Sequence, residues 1–246
     1  MGRPRCIGIV ACSAEGASLC YRTICTDGPK LFGPHAHPDV ALYSLSFADY
    51  VDALESDDWP RVAELMLVSA ERLAKAGAAF LICPDNTIHQ ALPLVAPRSP
   101  LPWLHIAEVV ADEAIARGFR KLGIAGTRWL VDGPVYPEKL AARGLSHVLP
   151  NAVERAEINR IIMDELVYGL FKPEATAYHQ QAFERMKREG CDAVVLGCTE
   201  IPLIMNDANS PLPTLDSTRL LARAALREAN SLRPAKRGEG GRGAAG

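Results

Sequence analysis

No run of apolar residues in this chain approaches the ~20 needed for a helix to cross a bilayer, so a membrane span is not expected. Excess charge of one sign is missing as well. Lysine and arginine number 27 against 29 aspartates and glutamates, a formal net charge of −2, which leaves no electrostatic footprint for nucleic acid or an anionic membrane. The seven cysteines are odd in number and form no C-x-x-C pair, and the six histidines include no H-x-x-x-H spacing. Neither a zinc site nor a disulfide framework is expected from such a pattern. After the basic Met1–Arg5, the apolar stretch Cys6–Cys12 is too short for a secretory signal. With thiols kept reduced, the expected location is the cytoplasm.

What the 246 residues do contain is alternation. The length suits one large domain or two small ones. Short apolar runs, read as strands, are Cys6–Ala11, Val40–Leu45, Ala79–Cys83, Trp103–Ile106, Lys121–Ala125, Ala193–Gly197 and Pro213–Leu215. Amphipathic stretches, read as helices, are Arg61–Ala76, Glu108–Arg117, Val153–Tyr168, Glu174–Glu189 and Ser217–Asn230. Strands alternating with helices predict an α/β fold with parallel sheets. Trp59-Pro60 marks a helix start, and Gly77, Gly118 and Gly190 fall where helices end. Residues 232–246 lack a core-forming pattern and read as a disordered tail.

One internal echo stands out. Ala70–His89 (AERLAKAGAAFLICPDNTIH) can be laid over Phe183–Pro202 (FERMKREGCDAVVLGCTEIP). In each, a Glu-Arg pair precedes a glycine, and eight residues after that glycine an apolar strand ends at a polar triplet. The triplets are Asp85-Asn86-Thr87 and Cys198-Thr199-Glu200. Two such units predict two similar lobes with Asp85 facing Cys198 across a shared cleft. Ligands of open α/β sheets bind beyond the carboxyl ends of strands. Backbone N–H groups there, with the Asn86, Thr87 and Thr199 side chains, suit a carboxylate. A carbon next to a carboxylate is a poor acid, so moving its proton needs a base on one face and an acid on the other. Asp85 and Cys198 are the candidates for that pair. Ser13, Cys12 and Thr127 also fall at or near strand ends and are candidate substrate contacts, with Glu200 placed to tune Cys198 or bind an amine. Cys12 reads equally as core packing; the structural alternatives are stabilisation of a helix start for Glu200 and a helix cap for Asp85, while His89 is read as an organiser of its turn. Cys83 is read as core and Asp216 as a structural tie to the final helix.

Gly197-Cys198-Thr199-Glu200-Ile201-Pro202 resembles the second signature of the aspartate/glutamate/hydantoin racemase superfamily, and Asp85-Asn86-Thr87-Ile88-His89 resembles the first, usually Cys-Asn-Thr-x-His. The likeness continues through Leu42-Tyr43-Ser44, Gly126-Thr127-Arg128, Asn159-Arg160-Ile161-Ile162 and Asp216-Ser217-Thr218, and is nearest the aspartate/glutamate racemase branch. It implies two Rossmann-like lobes related by a pseudo-two-fold axis, an active site in the cleft between them, no pyridoxal phosphate or metal, and a homodimer. The lobes expected are 1–105 plus 216–231, and 106–215. Three departures from the family pattern stand out. Asp85 replaces the first catalytic cysteine. The glycine-rich loop after strand one reads Ala11-Cys12-Ser13-Ala14-Glu15-Gly16-Ala17-Ser18. No match is found for the basic pair that holds a distal carboxylate in some aspartate racemases, the segments concerned being Ser44-Leu45-Ser46-Phe47 and Leu166-Val167-Tyr168. Three functions follow: a cofactor-independent racemase or epimerase of a small amino acid or related α-substituted carboxylate; a decarboxylase or isomerase relying on the single Cys198; or a carboxylate-binding protein without turnover.

Overall fold

Parallel strands need cover on both faces, and so read as continuous apolar runs. The computed structural model, which describes residues 3–231, places such runs at the centres of two sheets. Its strands are β1 (Ile7–Ala11), β2 (Val40–Ser44), β3 (Phe80–Ile82), β4 (Lys121–Ala125), β5 (Ser146–Val148), β6 (Ala193–Leu196) and β7 (Thr214–Asp216). The first sheet has the order β2-β1-β3 and the second β5-β4-β6-β7, with every pairing parallel. β1, β3 and β6 are wholly buried, whereas the edge strands β2 and β5 are half-buried or exposed. The same sequential order, second-first-third, recurs in both sheets. β3 and β6 therefore occupy equivalent places, with Asp85 and Cys198 just past their ends.

The helices of the first half are α1 (Ala14–Asp27), α2 (Pro29–Phe32), α3 (Phe47–Glu55), α4 (Trp59–Lys75), α5 (Leu92–Val95) and α6 (Ile106–Ala116). Those of the second are α7 (Arg128–Asp132), α8 (Pro137–Ala141), α9 (Ala152–Asp164), α10 (Pro173–Arg188) and α11 (Ser217–Asn230). Gly77, Gly118 and Gly190 have φ of 92°, 80° and 85°, the left-handed backbone expected where a helix stops. α4 starts as expected, its cap being Asp58, whose side chain accepts from the Arg61 N–H at 2.9 Å.

The structure corrects the expected strand Trp103–Ile106. It contributes a single bridge, Leu81 to Trp103, with the Leu81 N–H donating to the Pro102 carbonyl at 2.8 Å and the Leu104 N–H to the Leu81 carbonyl at 3.0 Å. Pro102 has no N–H to continue a ladder, and His105 already caps α6 by accepting from the Ala107 N–H at 3.2 Å. The expected helix Val153–Tyr168 ends early, at Asp164, and is followed by a 3₁₀ turn over Leu166–Tyr168. The buried Glu165 leaves helical geometry there and pairs with Arg160 at 2.8 Å and Lys172 at 3.3 Å. Strand β5 and the helices α1, α2, α3, α5, α7 and α8 were not anticipated. The expected tail, 232–246, lies outside the described residues.

The last helix crosses back. Leu221, Ala222, Ala225, Leu226 and Ala229 of α11 are buried with Ile7 and Ile9 of β1 and with Phe80 and Ile82 of β3. α6 crosses the other way: Ala107, Val110, Ala111 and Ala114 pack with Leu122 and Ile124 of β4. α11 also packs on α1 and α6. Since Leu221 is fully buried, Leu221→Ala is expected to cost about 2–5 kcal/mol, read as a lower urea midpoint. A loss below about 0.5 kcal/mol, the scale of a surface change, would contradict the placing of this helix in the core of the first sheet.

Candidate active site

β3 runs out at Ile82, and after Cys83-Pro84 the chain turns into a short 3₁₀ helix over Thr87–Ala91. Asp85 holds this turn, its Oδ1 accepting from the Ile88 N–H at 3.2 Å. His89 locks it from the other end: its Nδ1–H donates to the Asp85 carbonyl at 2.7 Å. The organising role expected for His89 is thus what its contacts give. Burial lowers its pKa to about 3, so the ring stays neutral. β6 repeats the device, ending at Leu196 before Gly197-Cys198-Thr199-Glu200 and a 3₁₀ turn over Ile201–Leu203.

The two turns meet. Asp85, Asn86 and Thr87 from the first, and Gly197, Cys198, Thr199 and Glu200 from the second, line one cavity of about 40 Å³. Ser13 and Thr127 complete its polar lining. Thr127 and Thr87 share a hydrogen bond of 3.1 Å. Of the substrate contacts expected from sequence, Cys12 alone is absent from the lining. It is buried in the core cluster beside Cys83, where burial and the nearby Asp85 charge raise its pKa. A bulkier cavity of about 420 Å³ lies beyond His89, lined in part by Trp103, His105, Glu108 and Lys139. Lys139 pairs there with Glu108 at 2.6 Å, and no thiol is among its lining residues.

A directed chain of hydrogen bonds converges with the thiol on Glu200 Oε2. The Gly16 N–H donates to Ser13 Oγ at 3.3 Å, and Ser13 lies 3.2 Å from Thr199 Oγ1. The Thr199 hydroxyl donates to Glu200 Oε2 at 2.7 Å, and the Cys198 S–H donates to the same oxygen at 2.9 Å. Because Thr199 gives its proton to Glu200, Ser13 must be the donor to Thr199. Gly16 lets this happen: a Cβ there would stand 2.5 Å from the Thr199 methyl, so a side chain would push α1 off the second sheet's turn.

Asn86 lines the cavity and has a bracing part as well. Its amide is braced at both ends, Oδ1 accepting from the Tyr136 hydroxyl at 2.7 Å and Nδ2–H donating to Ser217 Oγ at 2.9 Å. Ser217 in turn donates to the Leu196 carbonyl at 2.9 Å. The side chain ties the β3 turn to the end of β6. Asp216, as expected, is structural: it caps α11 by accepting from the Arg219 N–H at 3.0 Å. Phe47 and Val167, from the two segments that lack the basic pair, join Ile162 and Met163, not singled out from sequence as site residues, in an apolar part of the lining. The early end of α9 brings Val167 to the cavity, and no periodicity marks that break.

The two ionisable groups are tuned apart. Burial, reinforced by the Glu200 carboxylate, pushes the Asp85 pKa up from 3.8 to about 6. Burial and then the adjacent Glu200 charge push the Cys198 thiol well above its ordinary value. At neutral pH the site therefore holds an Asp85 carboxylate and a Cys198 thiol. Among the described residues no group of three or more His, Cys, Asp or Glu side chains is placed to hold a metal ion.

A model of the Asp/Glu/hydantoin racemase family matches residues 13–225, and the chain belongs to that family. This makes it an isomerase of the racemase type, with the α/β fold that the two parallel sheets display. It is 22% identical over 203 residues to the broad-specificity amino-acid racemase RacX of Bacillus subtilis, covering 80% of this chain and 86% of RacX. Its structure is similar to those of a candidate Asp/Glu racemase from Yersinia pestis (TM-score 0.84, 28% identity, 92% of this chain and 99% of that one) and an aspartate racemase homologue from Pyrococcus horikoshii (TM-score 0.80, 28% identity, 92% and 100%).

The raised pKa of Asp85 has a stability consequence. Between about pH 4 and 6 the folded protein keeps a proton that the unfolded chain has released, so this group's contribution declines as pH rises through that window. Asp85→Asn is expected to be more stable than the parent at pH 8 by about 1–3 kcal/mol, with the gain gone below about pH 4. Denaturant titrations at the two pH values measure it, and a parent at least as stable at pH 8 would contradict the assignment.

Proposed function

We propose that this chain is a cofactor-independent racemase or epimerase of a small amino acid or related α-substituted carboxylate, with Asp85 and Cys198 working on opposite faces of the α-carbon. The observation that carries the reading is their meeting in one cavity with different proton affinities. The substrate carboxylate is held by backbone N–H groups opening the two turns, by the Asn86 amide and by whichever of the Thr87 and Thr127 hydroxyls keeps its proton free, while the Thr199 and Ser13 hydroxyls turn their protons from Glu200 and Thr199 to the carboxylate as it enters. As a proton leaves the α-carbon, charge builds on that carboxylate, and these donors stabilise it.

The resting ionisation sets a direction. Asp85, as carboxylate, takes the α-proton; the Cys198 S–H delivers its proton to the other face, giving the opposite configuration and leaving a thiolate beside a protonated Asp85. Proton exchange with solvent restores the pair. In the reverse direction Cys198 must first lose its proton, and Glu200 Oε2 already accepts that hydrogen bond. The two directions therefore have unequal barriers.

We take 1–105 with 216–231, and 106–215, as the two lobes, supported by the crossing of α11 onto the first sheet. We also propose a homodimer, supported by the exposed Tyr168, Leu170 and Phe171 close together in sequence, and cytoplasmic location, supported by seven free cysteines. No described helix is long and apolar enough to cross a membrane.

Incubation of single enantiomers in deuterated water is expected to exchange the α-proton and yield both configurations. Cys198→Ser and Asp85→Asn should each lower kcat by ~10²–10⁴-fold, the range for removing a positioned acid or base. In the forward direction kcat/KM should rise with pH through about 6 as Asp85 loses its proton. Carbon dioxide release from malonate-type compounds without α-proton exchange would replace this reading with decarboxylation. Tight carboxylate binding with no turnover would replace it with simple binding.

A further inference from the structure

We infer that the substrate of this site is an amino acid with a neutral, apolar side chain, and that Phe47, Ile162, Met163 and Val167 select it. The inference rests on the racemase reading and adds the side chain to it. The polar lining comes from the turns after strands β1, β3, β4 and β6. The remaining lining comes from the first residue of α3, the last turns of α9 and the 3₁₀ turn that follows, and there every one of these four side chains is apolar. Met163 and Val167 pack against the same core cluster as Cys198, and Phe47 against the cluster beneath Cys12 and Cys83.

Charge argues the same way. The ionisable carboxyls on the cavity are Asp85 and Glu200, and among the described residues no lysine, arginine or histidine lines it. The basic residues next to lining positions are occupied elsewhere. Arg160, two residues before Ile162, is exposed and pairs with Glu157 at 2.6 Å and Glu165 at 2.8 Å. Arg128, beside Thr127, lies over the Trp129 ring at 4.6 Å. A distal carboxylate would thus be buried near two carboxylates with no counterion. A distal ammonium would be stripped of water against four hydrocarbon walls. Either leaves an unpaired buried charge. The substrate's α-ammonium has an acceptor in the Glu200 carboxylate, and an apolar side chain replaces water along the wall at a gain. The cavity's present volume of about 40 Å³ has room for only a few waters, at ~10–15 Å³ each. An occupant must therefore displace part of the lining. Phe47, Met163 and Val167 are only half-buried, and a methionine adapts to a new neighbour at little cost.

The experiment is α-proton exchange in deuterated water with single enantiomers of alanine, valine, leucine, methionine and phenylalanine against aspartate, glutamate, lysine and arginine. The best apolar substrate is expected to exceed every charged one in kcat/KM by at least about 100-fold, the scale set by an unpaired buried charge. A charged amino acid exchanging as fast as the best apolar one overturns this inference and leaves the racemase reading standing. Absence of exchange with every compound overturns the racemase reading itself. Met163→Lys, at a half-buried position that tolerates a long side chain, should raise the ratio of glutamate to leucine exchange by at least about 10-fold, the effect of ~1.4 kcal/mol. An unchanged ratio in a folded Met163→Lys protein overturns the assignment of this wall to the substrate side chain.

Discussion

The account depends on one arrangement of charge: a carboxylate and a thiol enclosed together, with the proton on the sulfur. Glu200 is central to it. Its Oε2 accepts from both Cys198 and Thr199, and its negative charge, added to burial, holds the thiol protonated while raising the affinity of Asp85 for a proton. In a site with two thiols the partners would have similar ordinary affinities and either could start. Here a carboxyl titrating near 6 and a thiol well above its usual range are not interchangeable.

The fold supplies the convergence. A strand order repeated in two sheets puts Asp85 past β3 and Cys198 past β6, and the crossing helices α6 and α11 lock the halves together. Fine positioning falls to small contacts. Asn86 is gripped by Tyr136 and Ser217, so that the first turn registers against the second. Gly16 lets α1 close on Thr199, so that the hydrogen-bond chain through Ser13 reaches the Glu200 oxygen that the thiol shares. Neither residue needs to touch substrate for the geometry to depend on it.

Much of this was legible in the sequence where two signals reinforced each other. The internal echo and the strand-end triplets located Asp85 and Cys198 and implied that they face one another. Buried strands such as Ala193–Leu196 were plain because full burial leaves a continuous apolar run. What stayed hidden depends on long-range contacts. β5, three residues on an exposed edge, has no apolar signature, and α1 begins inside what reads as a glycine-bearing loop. Asn86 reads only as a ligand group because its braces lie 50 and 131 residues away. Cys12 reads equally as wall or core, and only the packing places it in the core cluster beside Cys83. The segments of Phe47 and Val167 showed only the lack of a basic pair; that they form one wall with Ile162 and Met163 stayed hidden, because the four come from three separate elements and share no motif.

The most direct test of the central claim is the ionisation state of Cys198 itself. Thiolate absorbs near 240 nm and thiol does not, so the difference spectrum between the parent and Cys198→Ser isolates this sulfur from the other six. The account predicts no difference in that band at pH 7.5, and its growth only at strongly alkaline pH. A thiolate band at neutral pH that vanishes in Cys198→Ser would contradict it, because Cys198 would then start as a base and the assignment of roles would reverse.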